Sequence, residues 1–268
     1  MRALRKMPPH SRPLSSKAFL LKEMVVRDVR ARYSGSSLGI LWAFALPVLW
    51  MVIYTAVFSL VLRVPVEAGF ASFPEFLLPG LLPWMAVQEG ISRSSSTLVD
   101  NASMVKKTVF PVETLVLSVV LAAVVNEIVA LAVFAVYVAV LGHLQAAWLL
   151  LLVPALLLQT LLAFGIGCIA ATMTVFLRDT MHAVGVGLTV IFYATPVVYP
   201  MSLVPLRLRP FIEANPMTPL VDLFRRAFTL HAAPPPSSVL YLTVFALCVA
   251  AAGAALFARA RPHFADLI

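Results

Sequence analysis

Charge is scarce in this sequence. Of 268 residues only 12% are Asp, Glu, Lys or Arg, while 61% are hydrophobic. Soluble domains carry about 25% charged residues, so half of the usual water-facing charge is missing. Cysteine is rarer still. Cys168 and Cys248 stand inside apolar runs with no CxxC pattern or histidine beside them. That excludes a disulfide framework and reads as small packing residues. No GxxxxGK[ST] phosphate loop occurs, so this chain does not hydrolyse nucleotide by that route. No cleavable signal is evident, because the first apolar run far exceeds a signal core of about 7–15 residues. No repeat relates the first half to the second, which leaves the inverted-repeat logic of many carriers without support.

What remains is a set of apolar runs, each long enough to cross a bilayer, which takes roughly 20 residues as helix. The expectation is an all-α polytopic membrane protein, since barrel strands would show short alternating segments instead. Six transmembrane helices are predicted at about 38–62, 73–91, 112–141, 147–177, 181–200 and 238–258. Residues 1–17 are basic and proline-containing, and read as a tail. Over 18–33 the apolar residues Leu21, Val25, Val29 and Tyr33 recur every four, opposite Glu23, Arg27 and Arg30. This predicts an amphipathic helix lying in the membrane interface, with Lys22 and Arg32 reaching headgroups from the stripe's edges. Residues 201–236 are too polar and proline-rich to cross. They hold two short helical stretches around Asn215-Pro216, read as re-entrant helices before the last span.

The net charge of +8 is placed at the ends of these spans rather than along one soluble face. It therefore points to topology and lipid headgroups, not to nucleic acid. With the N-terminus inside, inner segments carry fifteen Lys and Arg and outer segments five. The imbalance puts both termini, including the tail 259–268, in the cytoplasm.

The segment 92–111, SRSSSTLVDNASMVKKTVFP, is a polar island between two spans, with Arg93, Lys106 and Lys107 against Asp100 alone. It reads as an inner loop, a handle by which a separate soluble partner moves the membrane helices. The plainer alternative is a topogenic basic loop. In the first span Trp42, Trp50, Tyr54 and Phe58 fall at steps of four or eight, and Phe192, Tyr193 and Tyr199 form a second aromatic group. Such rings stack on apolar sugar faces, or else simply pack and meet lipid. Asn126 and Glu127 lie near the middle of the third span, where an ionisable group is costly and should face the bundle interior or water. A relay would need further such groups, and only Glu89 qualifies, so an interhelical hydrogen bond is the favoured reading. Pro79, Gly80 and Pro83 interrupt the second span, for shape or for packing. The string Gly35-Ser36-Ser37-Leu38-Gly39 satisfies GxSxG. A nucleophile elbow needs a strand before it, and here a helix precedes. His143, His182, His231 and His263 are scattered, so no intramembrane enzyme is indicated.

Several short stretches together resemble ABC-2-type polysaccharide export permeases. They are Arg32-Tyr33-Ser34, Ser37-Leu38-Gly39, Leu41-Trp42 and Pro47, then FPEFLLPGLLPW (73–84) and DNASMVKKTVFP (100–111). LRD (177–179), TPVVYP (195–200), VP (204–205) and NPMTPL (215–220) follow in the same order. The resemblance covers nearly the whole chain. It implies the membrane subunit of an exporter of O-antigen, teichoic-acid or capsule type, in the bacterial inner membrane. Two copies of this chain would form the channel for a lipid-linked glycan, and two copies of a separate ATPase would carry ATP and Mg, leaving no cofactor here. It also implies that Asn101, Lys106, Lys107 and Phe110 couple to the ATPase, with Arg178 and Asp179 as a second inner contact. The rival readings are an ABC-2 exporter of a drug or lipid and an ion-coupled carrier using Glu127.

Overall fold

The computed structural model describes residues 14–33, 39–61, 63, 69–106 and 110–268. An apolar chain without water around it satisfies its backbone most simply as helix, because each N–H then bonds within its own segment. Every regular element among the described residues is accordingly helical. α1 is Leu14–Tyr33. α2 is Trp42–Thr55, continued by a π-helical stretch Ala56–Val61. α3 is Phe73–Asp100, α4 is Ala102–Val105 and α5 is Glu113–Val140. A 3-10 stretch, Ala146–Leu151, leads into α6, Leu152–Phe176. α7 is Thr180–Tyr193, α8 is Arg209–Glu213, and α9 is Met217–Arg225, running into a π-helical stretch Arg226–Leu230. α10 is Pro236–Ala260 and α11 is Phe264–Leu267.

Four stretches are long and apolar enough to cross a membrane: Trp42–Val61, Glu113–Val140, Ala146–Phe176 and Pro236–Leu267. The other two expected spans differ in kind. α3 has 28 residues, about 42 Å of helix, but it carries Glu75, Glu89, Arg93 and Asp100. α7 has only 14 residues, about 21 Å against a hydrocarbon core of about 30 Å. The island at 92–111 is also not a plain loop. α3 continues through it to Asp100, and α4 occupies Ala102–Val105. The serines at 94–96 did not end the helix, because Ser95 and Ser96 bond back to carbonyls three residues earlier.

α3 is the post around which the others gather, with 20 of its 28 residues buried. Its glycine is a point of close approach. A Cβ at Gly80 would stand 3.0 Å from Val221 Cγ1 and 3.5 Å from Arg225 Nη2, both belonging to α9. Packing is thus the use made of the Pro79-Gly80-Pro83 break. α6 and α10 come closer still, since a Cβ on Gly253 would lie 2.2 Å from the Gly165 carbonyl oxygen. Small residues that let backbones touch are the usual means of joining helices in lipid, where apolar burial supplies little drive.

A core of Met24, Leu98, Val105, Leu115, Cys168, Val175, Phe257 and Phe264 joins one end of the bundle. It draws α1, the end of α3, α4 and α11 to that same end. The face that α1 buries is not the expected stripe. Met24 and Asp28 are buried, while Leu21, Val25 and Val29 are half-buried and Tyr33's side chain lies outside the described residues. Hydropathy alone missed this face because Asp28 breaks it. The carboxylate accepts there from the Ser118 hydroxyl of α5 at 3.1 Å and from Arg27 at 3.2 Å. Cys168 is buried as expected, whereas Cys248 is exposed on α10 and packs against nothing in this chain's core. Residues 1–13 and 34–38 also lie outside the described residues.

Candidate substrate cleft and coupling face

A cleft of about 120 Å³ opens between α2, α3 and α5. Its walls include Trp42 and Trp50 from α2, Met85 and Glu89 from α3, and Asn126 and Glu127 from α5. Residues separated by some eighty positions in sequence are therefore brought to one place, and most of them are the aromatic and polar candidates singled out above. Burial explains the chemistry of the acid. Glu127 is 4% exposed and accepts a hydrogen bond on Oε2 from the Gln159 amide of α6. Among the described residues its Oε1 has no hydrogen-bond partner, and neither has the Gln159 carbonyl oxygen. A buried polar atom left unmatched costs about 1–3 kcal/mol, so this pair is only half of a satisfied site. The favoured interhelical bond exists, but it uses one carboxyl oxygen of two. Glu89, the second acid on the cleft, is ion-paired with Arg32 of α1 and lies 3.4 Å from Arg93. Arg32 thus closes on protein rather than reaching for headgroups.

The aromatic residues fall into two sets. Trp50 meets Tyr54 at a centroid distance of 5.5 Å, Tyr54 meets Phe58 at 6.1 Å, and Phe58 stacks on Phe73 of α3 at 5.2 Å. This run carries contact from the cleft wall to the buried post, and Tyr54 itself stands outside the cleft lining. Phe192 belongs elsewhere, 5.5 Å from the buried Trp84 and 5.2 Å from Tyr193. Tyr199 closes back on that group, its hydroxyl donating to the Tyr193 carbonyl at 2.8 Å. The two sets do not share the cleft.

At the end where α1 and α11 meet, the coupling candidates are spread around one face. Asn101 sits at the break between α3 and α4, its amide donating to the Thr97 carbonyl at 2.9 Å. Lys106 follows α4 and is exposed. Phe110 is half-buried, and its carbonyl accepts from Arg261, which also pairs with Glu113 at 3.3 Å. Lys107 lies outside the described residues. Arg178 and Asp179 are exposed in the turn between α6 and α7, where the Asp179 carbonyl accepts from the His182 and Ala183 N–H groups of α7.

The opposite end holds a group that pattern reading missed. Arg225, counted from sequence as an outer-loop charge, is only 7% exposed. Its Nε donates to the Phe76 carbonyl at 3.1 Å, and its Nη2 to the carbonyls of Pro196 and Val197 at 2.9 and 3.0 Å. The guanidinium also lies 4.0 Å over the Phe76 ring. Planar multi-donor geometry of this kind suits Arg and not Lys. Beside it, Asn215 donates to Thr195 Oγ1 at 2.8 Å and accepts from the Met217 N–H at 3.0 Å. The stretches TPVVYP and NPMTPL, far apart in sequence, are thereby tied to each other and to α3.

Comparison with known proteins agrees with this architecture. The profile of the family described as ABC-2 type transporter matches residues 20–229. The O-antigen export system permease protein of Myxococcus xanthus is 31% identical over 252 residues, covering 93% of this chain and 95% of that protein. A protein of the same description from Klebsiella pneumoniae is 30% identical over 251 residues, with coverage of 93% and 95%. The polysialic acid transport protein of Escherichia coli is more distant, at 23% over 238 residues. With its apolar crossing helices and a family match over most of its length, this chain belongs to the ABC-2 type transporters.

Proposed function

We propose that this chain is the permease of an ATP-driven exporter that moves a lipid-linked polysaccharide across the bacterial inner membrane. The observation that carries the reading is its near full-length similarity to permeases named for O-antigen export. Those names, with polysialic acid beside them, weigh against a drug or lipid cargo. An ion-coupled carrier finds little to work with, since a relay needs a chain of acids and Glu89, the second member, is committed to two arginines.

In this reading the chain crosses six times, through α2, α3, α5, α6, α7 and α10. α1 lies at the inner interface, and α8 with α9 dips into the outer leaflet. Both termini face the cytoplasm, supported by the basic excess at that end and by the joint packing of α1 with α11. Two copies enclose the path, since one copy offers few helices to surround a sugar chain. Two copies of a separate ATPase bind below, holding ATP and Mg. Asn101, Lys106, Lys107 and Phe110 meet the ATPase, with Arg178 and Asp179 as the second contact. Exposed lysines steer and orient such docking more than they hold it. The path is lined by Trp42, Trp50 and Tyr54 on one side and Phe192, Tyr193 and Tyr199 on another.

Co-purification with the ATPase, followed by glycan-stimulated ATP hydrolysis, tests the assignment. Lys106→Glu is expected to weaken assembly or stimulation. Unchanged assembly and turnover with both Lys106→Glu and Lys107→Glu would remove the coupling role of this face.

A further inference from the structure

The cleft between α2, α3 and α5 has a property that neither packing nor a plain lipid contact accounts for. Glu127 is more than nine-tenths buried, lines the cleft, and keeps Oε1 without a hydrogen-bond partner among the described residues. Gln159 holds the other oxygen, so the carboxyl is already oriented and cannot turn away without breaking that bond. Two indole rings, Trp42 and Trp50, stand on the facing wall. That wall is α2, in which only Ala43 is buried.

Resting on the export reading above, we infer that this cleft is a sugar-reading site within a single copy of the chain. One ring of the cargo stacks on Trp50 and gives a hydroxyl to Glu127. A hydroxyl is both donor and acceptor, so it completes Oε1 whether the carboxyl carries its proton or not. A hydrocarbon chain entering the same space would leave that oxygen unmatched. An indole face suits the apolar C–H face of a sugar ring, which supplies contact without requiring a charge. α2 moves outward to admit the ring. The aromatic run from Trp50 through Tyr54 and Phe58 to Phe73 then carries the occupied state toward the post α3.

The test uses the permease–ATPase complex in lipid nanodiscs and reads tryptophan emission. The chain has four tryptophans, and Trp84→Phe with Trp148→Phe leaves Trp42 and Trp50 as reporters. A methyl hexoside supplies sugar without lipid, and farnesyl phosphate supplies a polyprenyl phosphate without sugar. The hexoside is expected to shift the emission, with half-saturation raised about tenfold or more in Glu127→Leu and in Trp50→Leu. Glu127→Gln, which keeps the shape and a carbonyl, should stay within about threefold of the parent. If Glu127→Leu does not fold, Trp50→Leu reads the same site from an exposed position. Emission shifted by farnesyl phosphate but not by hexoside overturns the inference, as does a hexoside shift unaltered in both variants. ATP-driven glycan export is measured on the same complex reconstituted into sealed proteoliposomes. Export retained without a hexoside response sinks this site alone, whereas absence of export sinks the exporter reading with it.

Discussion

α3 buries 20 of its 28 residues, whereas in its neighbour α2 only Ala43 is buried. The contrast runs against composition, because α2 is the more apolar helix and α3 carries four charged side chains. In water the greasier helix would be the core. In a bilayer, apolar side chains gain nothing by leaving lipid, so position is decided by close contact, hydrogen bonds and small residues. α3 has these: Gly80 against α9, the Phe76 carbonyl under Arg225, and Glu75 held by Ser72 at 2.9 Å and His143 at 3.2 Å. α2 has a run of ring contacts and one wall of a cleft, with Phe44, Val48, Leu49, Val52 and Ile53 turned outward. The comparison separates a helix packed within the chain from one that leaves most of its surface outside the chain's own core.

Breaking the packed part should cost the most. Gly253→Leu places side-chain atoms where the Gly165 carbonyl now sits, 2.2 Å from the first carbon added. The α6–α10 pair must separate, and we expect a loss of about 3 kcal/mol or more, read as lost folded yield or a lower melting midpoint in detergent. Arg225→Met keeps the volume but leaves three carbonyls without their donor, for an expected loss of about 2–4 kcal/mol. Arg225→Lys should recover less than half of it, because an ammonium cannot span Phe76, Pro196 and Val197 together. The outlying helix should behave in the opposite sense. Trp50→Ala is expected to change stability by less than about 1 kcal/mol, since the ring is 37% exposed. Glycan export should nonetheless fall by about tenfold, the scale of one lost aromatic contact. Lys106→Glu should leave the melting midpoint unchanged and lower only glycan-stimulated ATP hydrolysis. If Trp50→Ala destabilises as much as Arg225→Met, the division between α2 and α3 is wrong.

Much of this was legible in the sequence, and the omissions share a cause. Long apolar runs announced the four clear spans, and order of motifs announced the family. The residues at 92–100 looked like loop because polarity and helix are usually opposed on a membrane protein, yet serines can bond back to their own helix and continue it. Arg225 was counted as an outer-segment charge, and Asp28 was not singled out. Both are buried, one against Ser118 and the other against three carbonyls, and those partners lie 90 and 28 to 149 residues away. Local pattern holds no record of such pairings. Trp42, Trp50, Asn126 and Glu127 were chosen separately, for ring periodicity and for charge at mid-span. Their meeting in one cleft depends on how α2 leans on α5, which no spacing encodes. The Tyr199 and Phe192 group, chosen by the same ring logic, stands apart from that cleft because α7 approaches α3 by another face.

The central claim is that this chain supplies the conduit and takes its work from nucleotide hydrolysed on another chain. Proteoliposomes carrying this permease with and without its ATPase, loaded with lipid-linked glycan and supplied with ATP, measure it directly. Glycan should cross only when both chains and hydrolysable ATP are present. Crossing at the same rate with the permease alone would contradict the account.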